Sequence, residues 1–355
     1  MTGTAFGEHL RRARHAQGLT QRELAERAGV SRQLVASVET GRHLPRADAA
    51  AAVARTLGTS VEALLVPLPR SPVGVVAPPA EGAPVRLARI GERLVCHPAP
   101  PADEGWSPAD GVLRDGEVAL LDDVPPRAVV VGCDPAIGLA GRLVEAAGGP
   151  GVIAALAATA TASQALAAGR AHAAVAHGPV GELPAPPVPV HRIEVARWQV
   201  GLVAPPQLPP GWAHEALTGR RPVVQRERGA TSQAAFERAR RAAGSHVDAQ
   251  PSAVAKPTPP QTAATPGIAT GHLDAAARAR DQGVVAVSIE PAALATGLAF
   301  HALEEHVCEL WVAHDHLGVA AVQRFVDELT GARLRRQLTG IGGYDLSRSG
   351  REVPA

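Results

Sequence analysis

The sequence predicts a multidomain protein in which a small all-α domain precedes a larger α/β domain. Over residues 4–65, apolar side chains recur at helical spacing. A proline-rich stretch follows at residues 67–84, and from residue 127 onward short apolar strands alternate with helices. A chain of 355 residues has room for two or three domains of ordinary size.

The first predicted domain covers residues 1–66 and consists of short helices. Glycines at positions 18, 29, 41 and 58 separate the periodic stretches, and glycine is typical of the points where helices stop or turn. The apolar residues expected in its core lie at helical spacing: Leu10, Leu24, Val35, Val38, Val53, Leu57, Val61 and Leu64.

Three further segments complete the predicted organisation. Residues 67–84 lack periodicity and are rich in proline, which is typical of a linker. Residues 85–350 form the second domain, and its first alternating segments, residues 85–96 and 111–121, predict β-hairpins. Within this domain, residues 245–270 are rich in proline, threonine and alanine and predict a mobile loop.

The rest of the second domain reads as α/β structure. Strands are predicted over residues 128–133, 171–177, 195–204, 221–227, 283–289, 299–303 and 308–314. Helices are predicted over residues 139–147, 163–169, 232–243, 273–282, 294–297 and 319–329. Strands that alternate with helices predict a mostly parallel sheet.

Charge, cysteine content and hydropathy narrow the class of protein. Residues 1–67 hold nine arginines against six acidic residues, whereas the whole chain carries a net charge of only +1. The excess of positive charge in this first segment favours binding of nucleic acid there.

Cys96, Cys133 and Cys308 are far apart and form no metal-ligand spacing, so neither a disulfide, a metal site nor a cofactor is expected. No secretory or membrane-spanning apolar run is present, and we expect a cytoplasmic protein without a membrane partner.

Residues 21–40 carry the most specific motif of the chain. Two short helices that cross around a tight turn need a small residue at their contact and glycine where φ is positive, and Ala25 and Gly29 occupy these places. Ser31 is a suitable N-cap for the second helix, and Thr20 with Glu23 forms a capping box at the first. The segment therefore predicts a helix-turn-helix.

Residues 5–65 resemble the five-helix DNA-binding domain of phage-repressor-type (XRE-type) transcription regulators. The resemblance implies that the second helix of the motif enters the major groove of double-stranded DNA. We expect Ser31, Arg32, Gln33 and Ser37 to face bases, with Arg32 reading guanine and Gln33 reading adenine. Phosphate contacts are expected from Gln21, Thr40 and Arg42, whereas Arg14 and Glu39 are expected to pair inside the domain. An interaction module without DNA binding is the alternative.

The second domain resembles the two-lobed, type II periplasmic-binding-protein-like domains that follow helix-turn-helix modules in some bacterial regulators. The resemblance rests on the order of several short segments, among them VGCDPAIGLAGRLV (131–144), QALAAGRAHAAVAH (164–177), VVQRERGATSQAAFERA (223–239) and GGYDLSRSG (342–350). Relatives of this domain are linked to molybdate and molybdenum-cofactor metabolism. The resemblance therefore implies a sensor of a small molecule or oxyanion.

A clamp of this kind presents helix N-termini to the cleft between its lobes, where free N–H groups and the helix dipole favour an anion. Hydroxyl-bearing residues before helices are also ordinary N-caps, so this alternative stays open for each corner. The residues expected to line the cleft are Asp134, Thr161, Ser163, Arg197, Arg226, Gly229, Thr231, Ser232, Thr270 and His272.

These features predict a DNA-binding transcription regulator, expected as a homodimer, whose second domain senses a small ligand. The alternative is a DNA-tethered scaffold whose clamp has lost its ligand. It is suggested by Gln233, which stands where the resembling domains commonly carry arginine. An enzyme is not expected, because we find no nucleophile, metalloprotease or phosphate-loop motif in supporting context.

Overall fold

The structure is a computed structural model that describes residues 2–65, 71–99, 107–122, 124–244 and 268–354. Its first part is a bundle of five helices: α1 (Thr2–Ala16), α2 (Gln21–Ala28), α3 (Arg32–Glu39), α4 (Ala47–Thr56) and α5 (Val61–Leu65). Phe6 joins the predicted apolar residues in the core of the bundle, and among these only Val61 is half-buried rather than buried.

Local sequence signals determine how α2 and α3 are joined. The Thr20 side chain accepts a hydrogen bond from the backbone of Glu23, whose carboxylate accepts one from the backbone of Thr20. Gly29 ends α2 with φ of 66°, and the Ser31 hydroxyl caps α3 by accepting from the backbone of Leu34. The predicted capping box, turn glycine and N-cap are confirmed.

A five-stranded sheet follows the bundle, with the order β1-β3-β2-β4-β5. Its strands are β1 (Val73–Gly74), β2 (Pro84–Ile90), β3 (Arg93–Pro98), β4 (Gly111–Arg114) and β5 (Glu117–Leu120). Strand β1 pairs with β3, and Val75 beside it is fully buried, so part of the predicted linker packs on this sheet. The prolines of this stretch are compatible with pairing because β1 is a short edge strand.

The remainder builds an eight-stranded sheet covered by helices. Its strands are β6 (Ala128–Gly132), β7 (Val152–Leu156), β8 (Ala173–Pro179), β9 (Val190–Ala204), β10 (Val223–Arg226), β11 (Ile268–Ala269), β12 (Val285–Ile289) and β13 (Ala299–Ala313). Its helices are α6 (Ala136–Ala146), α7 (Thr159–Ala167), α8 (Trp212–Leu217), α9 (Thr231–Ala242), α10 (His272–Gln282), α11 (Glu290–Thr296), α12 (Ala320–Leu329) and α13 (Ala332–Ile341), with a 3-10 turn at His314–His316.

The strand order β11-β10-β12-β9-β13-β8-β6-β7 divides this sheet into two lobes around a central pair. We call β6–β8 with α6 and α7 the first lobe, and β10–β12 with α9 and α10 the second lobe. Within each lobe the strands are parallel, but the long central strands β9 and β13 run antiparallel to each other and to the lobes that they join. The sheet is therefore mixed rather than mostly parallel.

Several predicted element bounds were wrong. The segment 299–314 was predicted as two strands, but β13 continues through it with register shifts at Ala302/Glu304 and Cys308/Glu309. Helix α7 begins at Thr159 rather than at residue 163, and α13 was not predicted. Most of the predicted mobile loop, residues 245–267, lies outside the described residues, and its end forms β11. No described helix is both long and apolar enough to span a lipid bilayer.

Candidate functional site

The start of α3 presents a polar surface. Ser31, Arg32 and Gln33 are all exposed there, whereas Val35 and Val38 of the same helix are buried in the core of the bundle. The first turn of this helix therefore faces solvent and carries side chains that can donate and accept hydrogen bonds. In helix-turn-helix proteins, side chains in this position read base edges.

The other predicted DNA-contacting residues differ in exposure and in whether their side chains already form hydrogen bonds within the protein. The Gln21 amide donates to Glu39 Oε2 at 2.8 Å, and Glu39 also accepts from Arg14 Nε at 2.7 Å, which confirms the predicted Arg14–Glu39 pair. The Thr40 hydroxyl donates to the carbonyl oxygen of Ala36 at 2.9 Å. Arg42 is exposed and Ser37 is half-buried.

A second polar cluster lies where the two lobes meet the central strands, and we call it the interlobe centre. The carboxyl ends of β6, β8 and β10 and the first residues of α9 and α10 converge there. Its members are Cys133, Asp134, His177, Trp198, Arg226, Thr231, His272 and His306, and the buried Ser232 follows Thr231 in α9. Apart from the half-buried Thr231, all of these residues are buried.

Asp134 receives its hydrogen bonds from the protein itself. Its carboxylate accepts from the backbone N–H of Ala136 at 2.8 Å, from Trp198 Nε1 at 2.9 Å and from the Tyr344 hydroxyl at 3.1 Å. Burial raises the pKa of Asp134, and these three donors act against that rise. Asp134 thus connects the first lobe to a central strand and to the C-terminal segment.

A chain of side chains crosses the interlobe centre from one lobe to the other. His177 Nδ1 lies 2.8 Å from His306 Nδ1, and His306 Nε2 lies 2.7 Å from Glu304 Oε1. Glu304 accepts two hydrogen bonds from Arg238 of α9. At the other end, the Thr231 hydroxyl lies 3.0 Å from each nitrogen of His177. The chain therefore joins β8, β13 and α9.

Three buried polar atoms in the second lobe have no hydrogen-bond partner among the described residues: His272 Nε2, Ser232 Oγ and Arg240 Nε. The first two belong to the first turns of α10 and α9, whereas Arg240 lies near the other end of α9. The other nitrogen of His272, Nδ1, lies 2.6 Å from Arg226 NH1. Burial, followed by the nearby charge of Arg226, holds the pKa of His272 well below 6.5, so the ring is neutral. Such unpaired buried atoms are uncommon, and a water or an ion is one of the groups that can satisfy them.

Cys133, His177 and His272 also have the composition of a metal site. One ligand atom from each lies within 4.8 Å of the others, and all three residues are buried. Burial raises the pKa of the Cys133 thiol to about 12, so the residue is a neutral thiol in this arrangement. The sequence prediction of no metal site rested on spacing along the chain, which does not show that distant segments meet.

The structure brings half of the predicted ligand residues into one place: Asp134, Arg226, Thr231, Ser232 and His272. Gly229 lies beside them with φ of 84°, and a Cβ there would stand 3.1 Å from Ala160 of the first lobe, so the lobes touch at this loop. Ser163 lines a groove of about 370 Å³ that Gly229 and Thr231 also border.

The remaining predicted ligand residues are Arg197, Thr270 and Thr161. Arg197 pairs with Glu194 at 2.9 Å, and its backbone pairs with Asp345 near the C-terminus. The exposed Thr270 donates its backbone N–H to Asp274 of α10. Thr161 is half-buried and is the third residue of α7, which starts earlier than predicted, so it lies in the first turn of that helix.

Sequence reasoning missed His177, Trp198, His306 and Glu304. His177 ends a predicted strand, and a polar residue at the carboxyl end of a parallel strand is a usable signal for a site. Trp198 and His306 face each other as partners in the β9–β13 register, which only the folded sheet reveals.

Two family models match the chain. One, described as a helix-turn-helix domain, matches residues 5–65. The other, described as a PBP superfamily domain, matches residues 145–330, just over half of the chain.

The most similar relatives align with the first domain. An uncharacterized HTH-type transcriptional regulator of Methanothermobacter thermautotrophicus is 49% identical over 49 residues, which are 14% of this chain and 71% of the relative. The uncharacterized HTH-type transcriptional regulator y4dJ of Sinorhizobium fredii is 37% identical over 68 residues, which are 19% of this chain and 88% of the relative.

One similar solved structure aligns with a larger part of the chain. It is a putative phosphate ABC transporter substrate-binding protein with bound phosphate from Clostridium perfringens, at 9% identity and a TM-score of 0.44. The alignment covers 62% of this chain and 98% of that protein.

Proposed function

The chain belongs to the PBP superfamily and carries a helix-turn-helix domain ahead of its binding-protein-like domain, and from this premise we propose that a small oxyanion held at the interlobe centre controls its affinity for DNA. The chain is a DNA-binding transcriptional regulator, and the relatives that match its first domain are named HTH-type transcriptional regulators.

The proposed DNA contacts are those of the polar surface on α3. Arg32 and Gln33 read bases in the major groove, with Ser31 and Ser37 beside them. Arg42, Gln21 and Thr40 position the domain on phosphates. Two copies of the chain would place two such helices about 34 Å apart along the duplex, so we propose a homodimer on a two-fold symmetric operator.

One observation carries the ligand proposal: within the described part of the chain, two buried hydrogen-bonding atoms at the starts of α9 and α10 lack a partner. They are Ser232 Oγ and His272 Nε2, and both residues lie in the first turn of a helix. Oxyanions bind at helix N-termini because free N–H groups and the helix dipole favour negative charge. Molybdate, tungstate, phosphate and sulfate belong to this class of ligand.

Groups from both lobes and both central strands meet at this centre, so closure of the lobes and binding are coupled. Thr231 of the second lobe bonds His177 of the first, and Trp198 and His306 belong to the strands between the lobes. A ligand that binds the closed arrangement better than the open one shifts the equilibrium between them. The DNA-binding domains of a dimer then change their spacing.

A thermal-shift screen of the full-length protein against molybdate, tungstate, phosphate and sulfate tests this proposal. An anion at 100 times its dissociation constant adds about 2.7 kcal/mol of stability. Ser232→Ala should remove the effect, whereas Thr339→Ala, which removes an exposed hydroxyl from α13, is a control that should keep it. If no anion stabilises the well-folded protein, the ligand proposal fails and the DNA-tethered scaffold becomes the better account.

A further inference from the structure

The two nitrogens of His272 have different surroundings. Nδ1 lies 2.6 Å from Arg226 NH1, whereas Nε2 has no hydrogen-bond partner within the described part of the chain. A guanidinium group has only donors, so Nδ1 must accept from Arg226. In a neutral imidazole the single proton is then on Nε2. His272 therefore presents an N–H donor at its unpaired atom.

Arg226 is held firmly in the position that imposes this tautomer. Its side chain is completely buried, and its Nε and NH2 groups donate to the two carboxylate oxygens of Glu227 at 2.9 and 3.0 Å. Its backbone N–H donates to Gln233 of α9 at 3.0 Å. A bidentate pair of this kind fixes the plane of the guanidinium, and NH1 remains directed at His272.

This tautomer conflicts with the metal site that the surrounding residues otherwise resemble. Cys133, His177 and His272 have the soft ligand types that zinc takes, within a short distance of one another. A histidine that binds metal through Nε2 needs a lone pair there and normally donates its Nδ1–H to a carboxylate, carbonyl or water. The Arg226 guanidinium can only donate to Nδ1, so the proton of the ring is on Nε2 and no lone pair is left there for a metal.

We propose that Arg226 determines the ligand class of the interlobe centre, because it makes His272 an Nε2–H donor, which donates to an anionic oxygen and cannot ligate a zinc-like cation. This inference rests on the proposed function, since it explains why that centre takes an oxyanion. The residue at position 226 thus decides whether the side chains around it form an anion site or a metal site.

Two substitutions at this position in the full-length protein test the proposal. In Arg226→Gln, the amide oxygen can accept from Nδ1–H, which a guanidinium cannot do, so the Nε2 lone pair can become available to a metal. In Arg226→Lys, the ammonium group still only donates. With Cd²⁺ as the probe, we expect Arg226→Gln to bind one ion about 10–100-fold more tightly than the wild type, with a thiolate-to-metal absorption band. Arg226→Lys should behave like the wild type.

A double variant establishes which residues hold the ion. Adding Cys133→Ser to Arg226→Gln should abolish both the absorption band and the gain in Cd²⁺ affinity. Wild-type protein that binds Cd²⁺ through Cys133 as tightly as Arg226→Gln would overturn the proposal, and so would a folded Arg226→Gln variant with no gain.

A measurement on the wild type decides the question even if Arg226→Gln does not fold. Long-range ¹H–¹⁵N correlation spectra of the imidazole, assigned with His272→Asn, should show the Nε2–H tautomer, and the Nδ1–H tautomer would overturn the proposal. The anion screen is separate from this result. If no anion binds but the Nε2–H tautomer and the Cd²⁺ gain are found, the proposed function fails while the role of Arg226 stands.

Discussion

His177 Nδ1 and His306 Nδ1 lie 2.8 Å apart in the interlobe centre, so one ring must donate and the other must accept. The Glu304 carboxylate at His306 Nε2 fixes a proton on that nitrogen. Burial lowers the pKa of both rings, so each carries a single proton. His306 Nδ1 is then the acceptor, His177 Nδ1 the donor, and His177 Nε2 accepts from the Thr231 hydroxyl.

We expect the free energy of unfolding to fall as the pH is lowered below about 6.5. Burial keeps the pKa values of His177, His272 and His306 below that ordinary value in the folded protein, although Glu304 acts to raise the pKa of His306. The unfolded chain takes up protons that the folded chain does not. Above pH 6.5 these histidines therefore do not lower the free energy of unfolding. Below it, the free energy of unfolding falls by about 1 kcal/mol per histidine for each pH unit.

Urea unfolding between pH 7.5 and 5.5 measures this slope. His306→Gln removes one of the three rings and should reduce the dependence on pH by about one proton, at some cost in stability at neutral pH. Stability that is constant or rises as the pH falls would contradict the assignment of neutral rings.

For the DNA-binding surface, we expect Arg32→Ala and Gln33→Ala each to weaken binding to a specific duplex by about 1–3 kcal/mol. Binding to nonspecific DNA should change little for Gln33→Ala, because that side chain reads bases and carries no charge. Titration of labelled duplexes by fluorescence anisotropy measures both. Unchanged discrimination between specific and nonspecific DNA in both variants would remove the assignment of α3 as the reading helix.

The stability of the helical bundle should depend strongly on the Arg14–Glu39 pair. Both side chains are largely buried, with 8% and 3% exposed, and Glu39 also accepts from Gln21. Glu39→Ala leaves the guanidinium of Arg14 without its partner and should cost about 3–5 kcal/mol. Arg22→Ala, which breaks the exposed pair with Glu26, is the control and should cost less than about 1 kcal/mol. Chemical denaturation followed by circular dichroism compares the two variants.

Trp198→Phe should destabilise the C-terminal domain by about 1–3 kcal/mol, because it removes a donor from the buried carboxylate of Asp134. Trp212→Phe on α8 serves as the comparison, since Trp212 is only half-buried. Calorimetric unfolding of both variants measures the difference. If the two substitutions cost the same, the Trp198–Asp134 bond contributes nothing specific.

The helix-turn-helix could be predicted in detail because its signals are local. Thr20 and Glu23 cap one helix across three residues, Gly29 supplies the positive φ of the turn, and Ser31 caps the next helix. Each interaction depends on residues that are adjacent in sequence, so the sequence pattern alone identifies it. The Arg14–Glu39 pair spans a longer distance and was expected from the resemblance of the whole segment.

The interlobe centre could be predicted only in part. Arg226, Thr231, Ser232 and His272 are close to predicted strand ends and helix starts, so local patterns point to them. His177 and His306 meet because β8 pairs with β13, and the register of strands so distant in sequence cannot be read from either segment. The start of α7 was also missed, since Ala158 precedes it and makes no side-chain cap.

The affinity for DNA in the presence and absence of an oxyanion tests the central claim most directly. A duplex selected from a random library by the full-length protein is titrated at constant ionic strength, because salt itself weakens protein–DNA binding. We predict that one of molybdate, tungstate, phosphate or sulfate changes the affinity about 5–150-fold in the wild type but not in Ser232→Ala. Equal affinity with and without every anion, or an equal change in the variant, would contradict the account.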